Sequence, residues 1–454
     1  MPTETTYSIL GAARSGLAVA ALLRREGARV FVSDSKPADA NPTAIPRLRA
    51  MGAGYEFGGH TKAVLQSSVL ILSPGVPDTI PIVRQAAEQG IRITNEIEIA
   101  ASRCRAPIIA ITGTNGKTTT TELTGFILRN SGLNTFVAGN VGLPFSEIAL
   151  QADEQSVVVL ELSSFQLEHI QAFRPRVAMI LNVTPDHLDR YPNFEAYVRA
   201  KFRITMNQTP ADTLIYNADD HNLSALPASS VARAIGFSLT QALPDGAFVR
   251  NGQVILRANG EQELMNTNDI RIRGPHNLYN AMAAALAAQS VGVGLDAIRE
   301  GLKNFPGVPH RLEPVRQLDG VRYINDSKAT NVDSVWYALQ SFAEPIVLIA
   351  GGKGKQNDYT PILPLIRKHV KAVVLIGDEA PAMEAAFAGY APTVRAGHSM
   401  ELAVEQARSL AVPGDVILLS PACASFDMFN NYEHRGESFK TLVNQLIPAS
   451  EAVN

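Results

Sequence analysis

Short apolar, β-branched runs alternate along this chain with segments whose apolar positions recur at helical spacing. That alternation predicts mainly parallel sheets, buried on both faces and covered by the helices that connect their strands. Three blocks repeat it. The first runs from Tyr7 to about Glu98, with strands predicted at Tyr7–Leu10, Arg29–Ser33, Val69–Ser73 and Ile91–Thr94. The second opens with a strand at Pro107–Thr112 and closes near Phe305-Pro306-Gly307-Val308-Pro309; in the third, strands at Val321–Asn325, Ile346–Ala350, Ala372–Gly377 and Val416–Ser420 alternate with helices. The reading is an α/β chain of three domains, 1–98, 99–307 and 308–454, each a mainly parallel sheet with flanking helices.

Composition narrows the functions open to such a chain. Of 454 residues, 46% are hydrophobic and 18% charged, enough apolar material for buried sheets. The formal net charge of -3 gives no global attraction to nucleic acid or an anionic membrane, so phosphate binding has to be local. Met1 to Tyr7 lacks a basic-then-apolar leader, and the alanine-rich run Ala281 to Ala288 is broken by Asn280, Gln289 and Ser290, so no membrane span is expected. Cys104 and Cys423 are too few and too distant for a disulfide framework or a zinc cluster, which fits a reducing cytoplasm.

Local phosphate binding has an obvious candidate in Gly113-Thr114-Asn115-Gly116-Lys117-Thr118-Thr119, set between the strand Pro107–Thr112 and a helix carrying Leu123, Phe126 and Ile127 on one face. Glycines let successive N–H groups turn toward one anion, and the helix start adds partial positive charge. Lys117 neutralises phosphate and the Thr118 hydroxyl offers a Mg²⁺ ligand. The first glycine stands three residues before the second, a shortened form of the common loop; Ser131-Gly132 ends the helix.

Downstream, the strand Ser156–Leu160 delivers Glu161 at the same sheet edge, where a carboxylate reaches a metal on the phosphate loop; alone it reads equally as a strand-end acid. After the strand Val177–Leu181 comes the run Asn182-Val183-Thr184-Pro185-Asp186-His187-Leu188-Asp189-Arg190, in which His187 reads equally as a ligand and as a structural hydrogen-bonding group. Lys201, on the helix after Tyr191-Pro192-Asn193, reads by itself as a solvated charge.

The first block carries Gly11-Ala12-Ala13-Arg14-Ser15-Gly16 after its first strand and Asp34 after its second, as in a dinucleotide fingerprint, but Ala13 replaces a glycine and weakens the nicotinamide reading. A diphosphate on Ser15 and Gly16, with Asp34, Ser35 and Lys36 beside a nucleoside and Ser73-Pro74-Gly75 closing the pocket, survives. In the third block, Asn325-Asp326-Ser327-Lys328-Ala329-Thr330-Asn331 and Ala350-Gly351-Gly352-Lys353-Gly354-Lys355 place two lysine-bearing loops after neighbouring strands, suited to an anionic amino acid or a phosphate.

Taken in this order, Gly113 to Thr119, Glu161 with Leu162-Ser163-Ser164, Asn182 to His187, Gly274-Pro275-His276-Asn277 with Asn280, Pro309-His310-Arg311 and Asn325 to Asn331 resemble the Mur ligase family over nearly the whole chain. The ending Ser420-Pro421-Ala422-Cys423-Ala424-Ser425-Phe426-Asp427 with Arg435-Gly436 is similar to the D-glutamate-adding branch.

The resemblance implies a Rossmann-like N-terminal domain for a UDP sugar, a P-loop ATPase centre and a dinucleotide-fold-like C-terminal domain for the incoming amino acid. It implies ATP contacts from Gly113 to Thr119, Asn277, Asn280, Arg311 and Asp326, and two Mg²⁺ ions held by Thr118, Glu161, His187 and a carbamylated Lys201. Lys117, Glu161, His187 and Lys201 are then the catalytic set. Arg14, Ser15, Gly16, Asp34, Ser35, Lys36, Ser73, Pro74, Gly75 and Asn140 are expected on the UDP sugar. His187, Lys328, Thr330, Lys353, Ser425, Phe426 and Tyr432 are expected around D-glutamate. The implied substrates are UDP-N-acetylmuramoyl-L-alanine and D-glutamate, and a monomer is expected. Rival readings are a sister ligase taking another amino acid, an NAD-dependent oxidoreductase built on Gly11 to Gly16, and a nucleotide-gated binding module.

Overall fold

The computed structural model describes residues 5–186, 190–257, 260–354 and 357–448; His187, Leu188, Asp189 and Lys355 lie outside them. The chain forms two compact units, Met1–Ile270 with Tyr279–Asn304, and Arg271–Leu278 with Phe305–Asn454. Among the described residues no helix is long and apolar enough to cross a membrane.

The first unit holds two sheets. Strands β1 (Thr6–Leu10), β2 (Arg29–Asp34), β3 (Gly54–Phe57), β4 (Val69–Leu72) and β5 (Arg92–Asn95) lie in the order β3-β2-β1-β4-β5, all parallel. The second sheet contains β6 (Ile108–Thr112), β7 (Asn134–Gly139), β8 (Ser156–Glu161), β9 (Val177–Ile180), β10 (Thr213–Asn217), β11 (Arg233–Ser238), β12 (Gly246–Arg250), β13 (Gln253–Arg257) and β14 (Glu261–Asn266), in the order β14-β13-β12-β11-β10-β9-β6-β8-β7. Every residue of β6, β8 and β9 is buried, as near-continuous apolar runs require when helices cover both faces. The order turns back at β6, which lies between β8 and β9, so the loop after β6 opens at a topological switch point, where ligands bind in open α/β sheets.

The second unit holds β15 (Glu313–Leu318), β16 (Val321–Asn325), β17 (Ile346–Gly351), β18 (Val370–Ile376), β19 (Thr393–Gly397) and β20 (Val416–Leu419), in the order β15-β16-β20-β17-β18-β19. Only β15 is antiparallel to its neighbour. The predicted strands are present with ends shifted by a residue or two; Ala372–Gly377, for example, becomes Val370–Ile376.

The sequence reading passed over the antiparallel extension β12-β13-β14. Its first turn is Asn251-Gly252, with φ of 52° and 74°, the left-handed pair that a two-residue hairpin needs to match strand twist.

Candidate active site

Ile108 to Thr112 ends at Gly113, and the helix Lys117–Asn130 begins directly after Gly116. Gly116 has φ of 83°, and a Cβ there would lie 2.4 Å from Asn280 Oδ1, so both backbone and space demand glycine. Asn280 Oδ1 also accepts a 3.1 Å hydrogen bond from the Thr120 hydroxyl. Lys117 Nζ curls back to donate to the carbonyls of Gly113 (2.8 Å) and Thr114 (2.7 Å), which holds its charge over the loop. Thr118 and Thr119 are buried in the first turn, and Thr119 Oγ1 has no hydrogen-bond partner among the described residues.

The loop is shaped against the segment after β9. Thr114 N donates to the Asn182 carbonyl (3.0 Å), while the Asn182 amide accepts from Asn115 N (2.8 Å) and donates to Asn115 O (3.0 Å). Thr184 N donates to Thr114 Oγ1 at 3.0 Å.

Glu161 stands at the end of β8, 1% exposed. Its Oε1 accepts from the side chain of Asn140 (2.9 Å), and Asn140 N donates to the Glu161 carbonyl (2.8 Å). Its Oε2 is buried without a hydrogen-bond partner among the described residues. An uncompensated buried carboxylate oxygen costs several kcal/mol by order of magnitude, unless a cation completes it.

Lys201 corrects the reading from sequence alone: it is 1% exposed, not solvated. Asn193 caps the helix Phe194–Phe202 by accepting from Ala196 N, and the spacing of four residues puts Tyr197 and Lys201 on one buried face. Lys201 Nζ lies 4.5 Å from the Tyr197 ring centre and donates to Gly113 O at 2.8 Å, the same carbonyl that Lys117 engages. Burial, and then the charge of Lys117, push the Lys201 amine well below its ordinary pKa against the pull of Asp186 and Glu161. An uncharged amine is a nucleophile toward CO₂, and the carbamate it forms is an anionic oxygen ligand.

This donor set suits magnesium. Glu161 offers a bare carboxylate oxygen, Thr118 a hydroxyl at the helix start, and Lys201 an amine whose ammonium form burial disfavours. His187 belongs to the expected set and lies outside the described residues.

In the first sheet the loop after β1 is braced. Asp34 Oδ2 accepts from Ala12 N at 2.7 Å and its Oδ1 from Lys36 N at 2.9 Å, so the acid shapes the turn that the sequence reading had placed beside a nucleoside. Ser73 Oγ donates to Gly11 O, and a Cβ on Gly16 would meet that same carbonyl at 1.9 Å, so the close approach of the helix start to the turn requires glycine at 16. The Arg14 guanidinium donates to the Gly142 carbonyl, two residues past Asn140. Arg14, Ser35, Lys36 and Gly75 are exposed, while Ser15 and Pro74 are half-buried at this edge.

In the second unit, Asp326 is buried and accepts from Leu312 N (3.2 Å) and the Ser420 hydroxyl (2.8 Å). Burial pushes its carboxyl up to about 6, against the lowering pull of Arg311. Arg311 Nε is buried without a hydrogen-bond partner among the described residues. Asn277 donates to Arg273 O. Lys353 exchanges backbone hydrogen bonds with Ala424 (2.9 and 3.2 Å), which brings its loop beside Ser425. Lys328 Nζ lies 5.5 Å from the Tyr432 ring centre, and Thr330 N donates to Lys328 O. Phe426 is 69% exposed, an apolar face that burial in this unit does not explain.

Two braces were missed in the sequence. Arg435, 1% exposed, donates to Ser327 Oγ and Ser327 O and to the carbonyls of Cys423 and Ala424, tying together the loops after β16 and β20. Asp219 and Asp220 follow β10, a strand the sequence reading did not predict; the Asp-Asp pair after Thr213–Asn217 was the available signal.

Family models match three stretches: Mur ligase MurD-like, N-terminal domain over residues 5–95; Mur ligase middle domain over 111–288; and Mur ligase, glutamate ligase domain over 310–423. The chain is 48% identical to a UDP-N-acetylmuramoylalanine--D-glutamate ligase of Salinibacter ruber, with 98% of each chain covered. It is 44% identical to the ligase of the same name from Chloroherpeton thalassium, covering 97% of this chain and 98% of that one. Among solved structures it is similar to the UDP-N-acetylmuramate-alanine ligase MurC of Thermotoga maritima (TM-score 0.61, 20% identity, 97% and 99% covered). It is also similar to MurF of Acinetobacter baumannii (TM-score 0.63, 18% identity, 98% and 95% covered), and both likenesses concern the fold.

Proposed function

The chain belongs to the Mur ligase family, and on that premise we propose that it is the ATP-dependent ligase joining D-glutamate to the L-alanine carboxylate of UDP-N-acetylmuramoyl-L-alanine, a step of peptidoglycan precursor synthesis. The observation that carries this reading is the convergence of Lys117 and Lys201 on the Gly113 carbonyl at the edge where Glu161 keeps a bare carboxylate oxygen.

In this reading, 1–98 takes the UDP sugar, 99–307 takes ATP and 308–454 takes the amino acid. The loop Gly113 to Thr119 holds the triphosphate, with Asn277, Asn280, Arg311 and Asp326 as further ATP contacts. The UDP sugar lies on Arg14, Ser15, Gly16, Asp34, Ser35, Lys36, Ser73, Pro74, Gly75 and Asn140, with Asp34 also shaping the turn. D-Glutamate is met by Lys328, Thr330, Lys353, Ser425, Phe426 and Tyr432, with His187 at the metals.

The substrate carboxylate attacks the γ-phosphorus of ATP, ADP leaves, and an acyl phosphate forms. The unprotonated glutamate amine then attacks the acyl carbon through a tetrahedral intermediate and expels phosphate. Lys117 offsets charge on the transferring phosphoryl group, and backbone N–H groups of the loop hold the phosphates in line. Two magnesium ions, held by Thr118, Glu161, His187 and the Lys201 carbamate, would supply further charge neutralisation along the triphosphate. The carbamate forms when the unprotonated Lys201 amine attacks CO₂ and releases one proton, giving an anionic oxygen ligand.

The test is incorporation of labelled amino acids onto UDP-N-acetylmuramoyl-L-alanine. D-Glutamate is incorporated with stoichiometric ADP formation, whereas L-alanine and diamino acids are not; incorporation of either of these in its place contradicts the reading.

A further inference from the structure

The consecutive acids Asp219 and Asp220 have no role in the scheme above. Asn182 and Asn280 both press on the phosphate loop, Asn182 through Asn115 and Thr114 and Asn280 against Gly116. Each lies beside a residue gripped by one of these acids.

Asp219 Oδ2 accepts from the Tyr279 hydroxyl at 2.8 Å, and Tyr279 immediately precedes Asn280. The same carboxylate accepts from Leu239 N (2.7 Å), Ser238 Oγ (2.6 Å) and Thr240 Oγ1 (2.6 Å), so it is anchored to the end of β11. Asp220 Oδ2 accepts from Val183 N at 2.7 Å, and Asn222, whose N–H Asp220 caps at 2.9 Å, donates from its side chain to Val183 O at 2.9 Å. Both polar groups of Val183 are therefore held, and its neighbours Asn182 and Thr184 are the residues that bond Asn115 and Thr114.

We infer that Asp219 and Asp220 are positioning residues for nucleotide: through Tyr279–Asn280 and through Val183–Asn182 they clamp the phosphate loop at two places, Gly116 and Thr114–Asn115, and fix its N–H groups for the triphosphate. The inference rests on the reading that this loop holds ATP. The two acids sit in the turn after β10, where Asp219 N donates to Asn217 Oδ1 and Asp220 N to the Asn217 carbonyl, and from that turn each carboxylate reaches a different arm. Their work is done before ligand arrives. Pre-ordered N–H donors spare the nucleotide the entropy of organising them, so a loosened arm weakens nucleotide binding and leaves the amino-acid site untouched.

The experiment measures affinity for a fluorescent ATP analogue with magnesium, and KM for ATP and for D-glutamate, in the parent and in Tyr279→Phe, Asp220→Ala and Asp220→Asn. Tyr279→Phe removes one hydroxyl and keeps the ring that packs 6.0 Å from Phe237. The expected result is a roughly 5- to 20-fold loss of nucleotide affinity and rise of KM for ATP in Tyr279→Phe and Asp220→Ala, with KM for D-glutamate within about twofold of the parent. Asp220→Asn, which keeps an acceptor for Val183 N, recovers most of the loss. Nucleotide affinity unchanged in Tyr279→Phe and in a folded Asp220 variant overturns the inference, as does an equal loss toward both substrates. A parent that fails to bind the analogue overturns instead the assignment of the loop to ATP.

Discussion

Lys201 Nζ donates a 2.8 Å hydrogen bond to the carbonyl oxygen of Gly113, a residue 88 positions earlier in the chain and the first glycine of the phosphate loop. The helix that carries Lys201 is thereby fixed to the loop, and burial and the charge of Lys117 disfavour the ammonium form of this amine against the pull of Asp186 and Glu161.

The carbamate proposed on Lys201 has a direct spectroscopic test. Protein equilibrated with ¹³C-bicarbonate is expected to show a carbamate carbon signal by NMR that is absent in Lys201→Met, and the variant should lose ligation by ~10³-fold or more. A signal of equal size in Lys201→Met, or near-parental turnover, contradicts the assignment.

Glu161→Gln keeps the size of the side chain and removes its charge. Turnover should fall by ~10²–10³-fold, with a higher magnesium concentration required for half-maximal rate. Asn140→Ala, which frees Glu161 Oε1 without removing the acid, should raise the magnesium requirement by a smaller factor, about tenfold or less. Titrating magnesium in steady-state assays checks both.

Gly116→Ala places a methyl group 2.4 Å from Asn280 Oδ1 on a residue with φ of 83°. Strain of about 1 kcal/mol or more is expected from the backbone alone, and the clash tilts the loop away from Asn280. ATP affinity should drop by at least about tenfold, measured by equilibrium binding, with a small fall in melting temperature.

Asp326 sets a pH dependence. Its carboxyl, raised by burial to about 6 from the ordinary 3.8, binds a proton in the folded chain that the unfolded chain has already lost between those values. Its stabilising contribution is therefore full below about 3.8 and is lost as pH rises through about 6. Asp326→Asn, neutral throughout, should melt above the parent at neutral pH by on the order of 1 kcal/mol, and the gap should close near pH 4. A gap that widens in acid refutes the sign. Thermal melts across this range decide it.

Much of this was legible because it is local. Ile108 to Thr119 carries strand, glycine turn, lysine and helix in one continuous run, and the buried run of β8 delivers Glu161 to the same edge. The buried state of Lys201 was not legible, because it depends on Gly113 O and on Glu161, which only the fold brings near. Strands β12 to β14 pair antiparallel and have no helices between them, so the strand–helix alternation that marks the rest of the sheet does not mark them, and their local signal is the turn Asn251-Gly252. The Asp219–Asp220 pair was hidden for a related reason: its partners are a backbone N–H at Val183 and a hydroxyl at Tyr279, neither of which has a sequence signature.

The most direct measurement of the central claim is phosphate release with ATP and magnesium, with each substrate supplied alone and then both together. The account predicts sustained release only when UDP-N-acetylmuramoyl-L-alanine and D-glutamate are both present, matched by amide product, and its loss by several powers of ten in Lys117→Ala. Release that needs neither substrate, or that survives in Lys117→Ala, contradicts it.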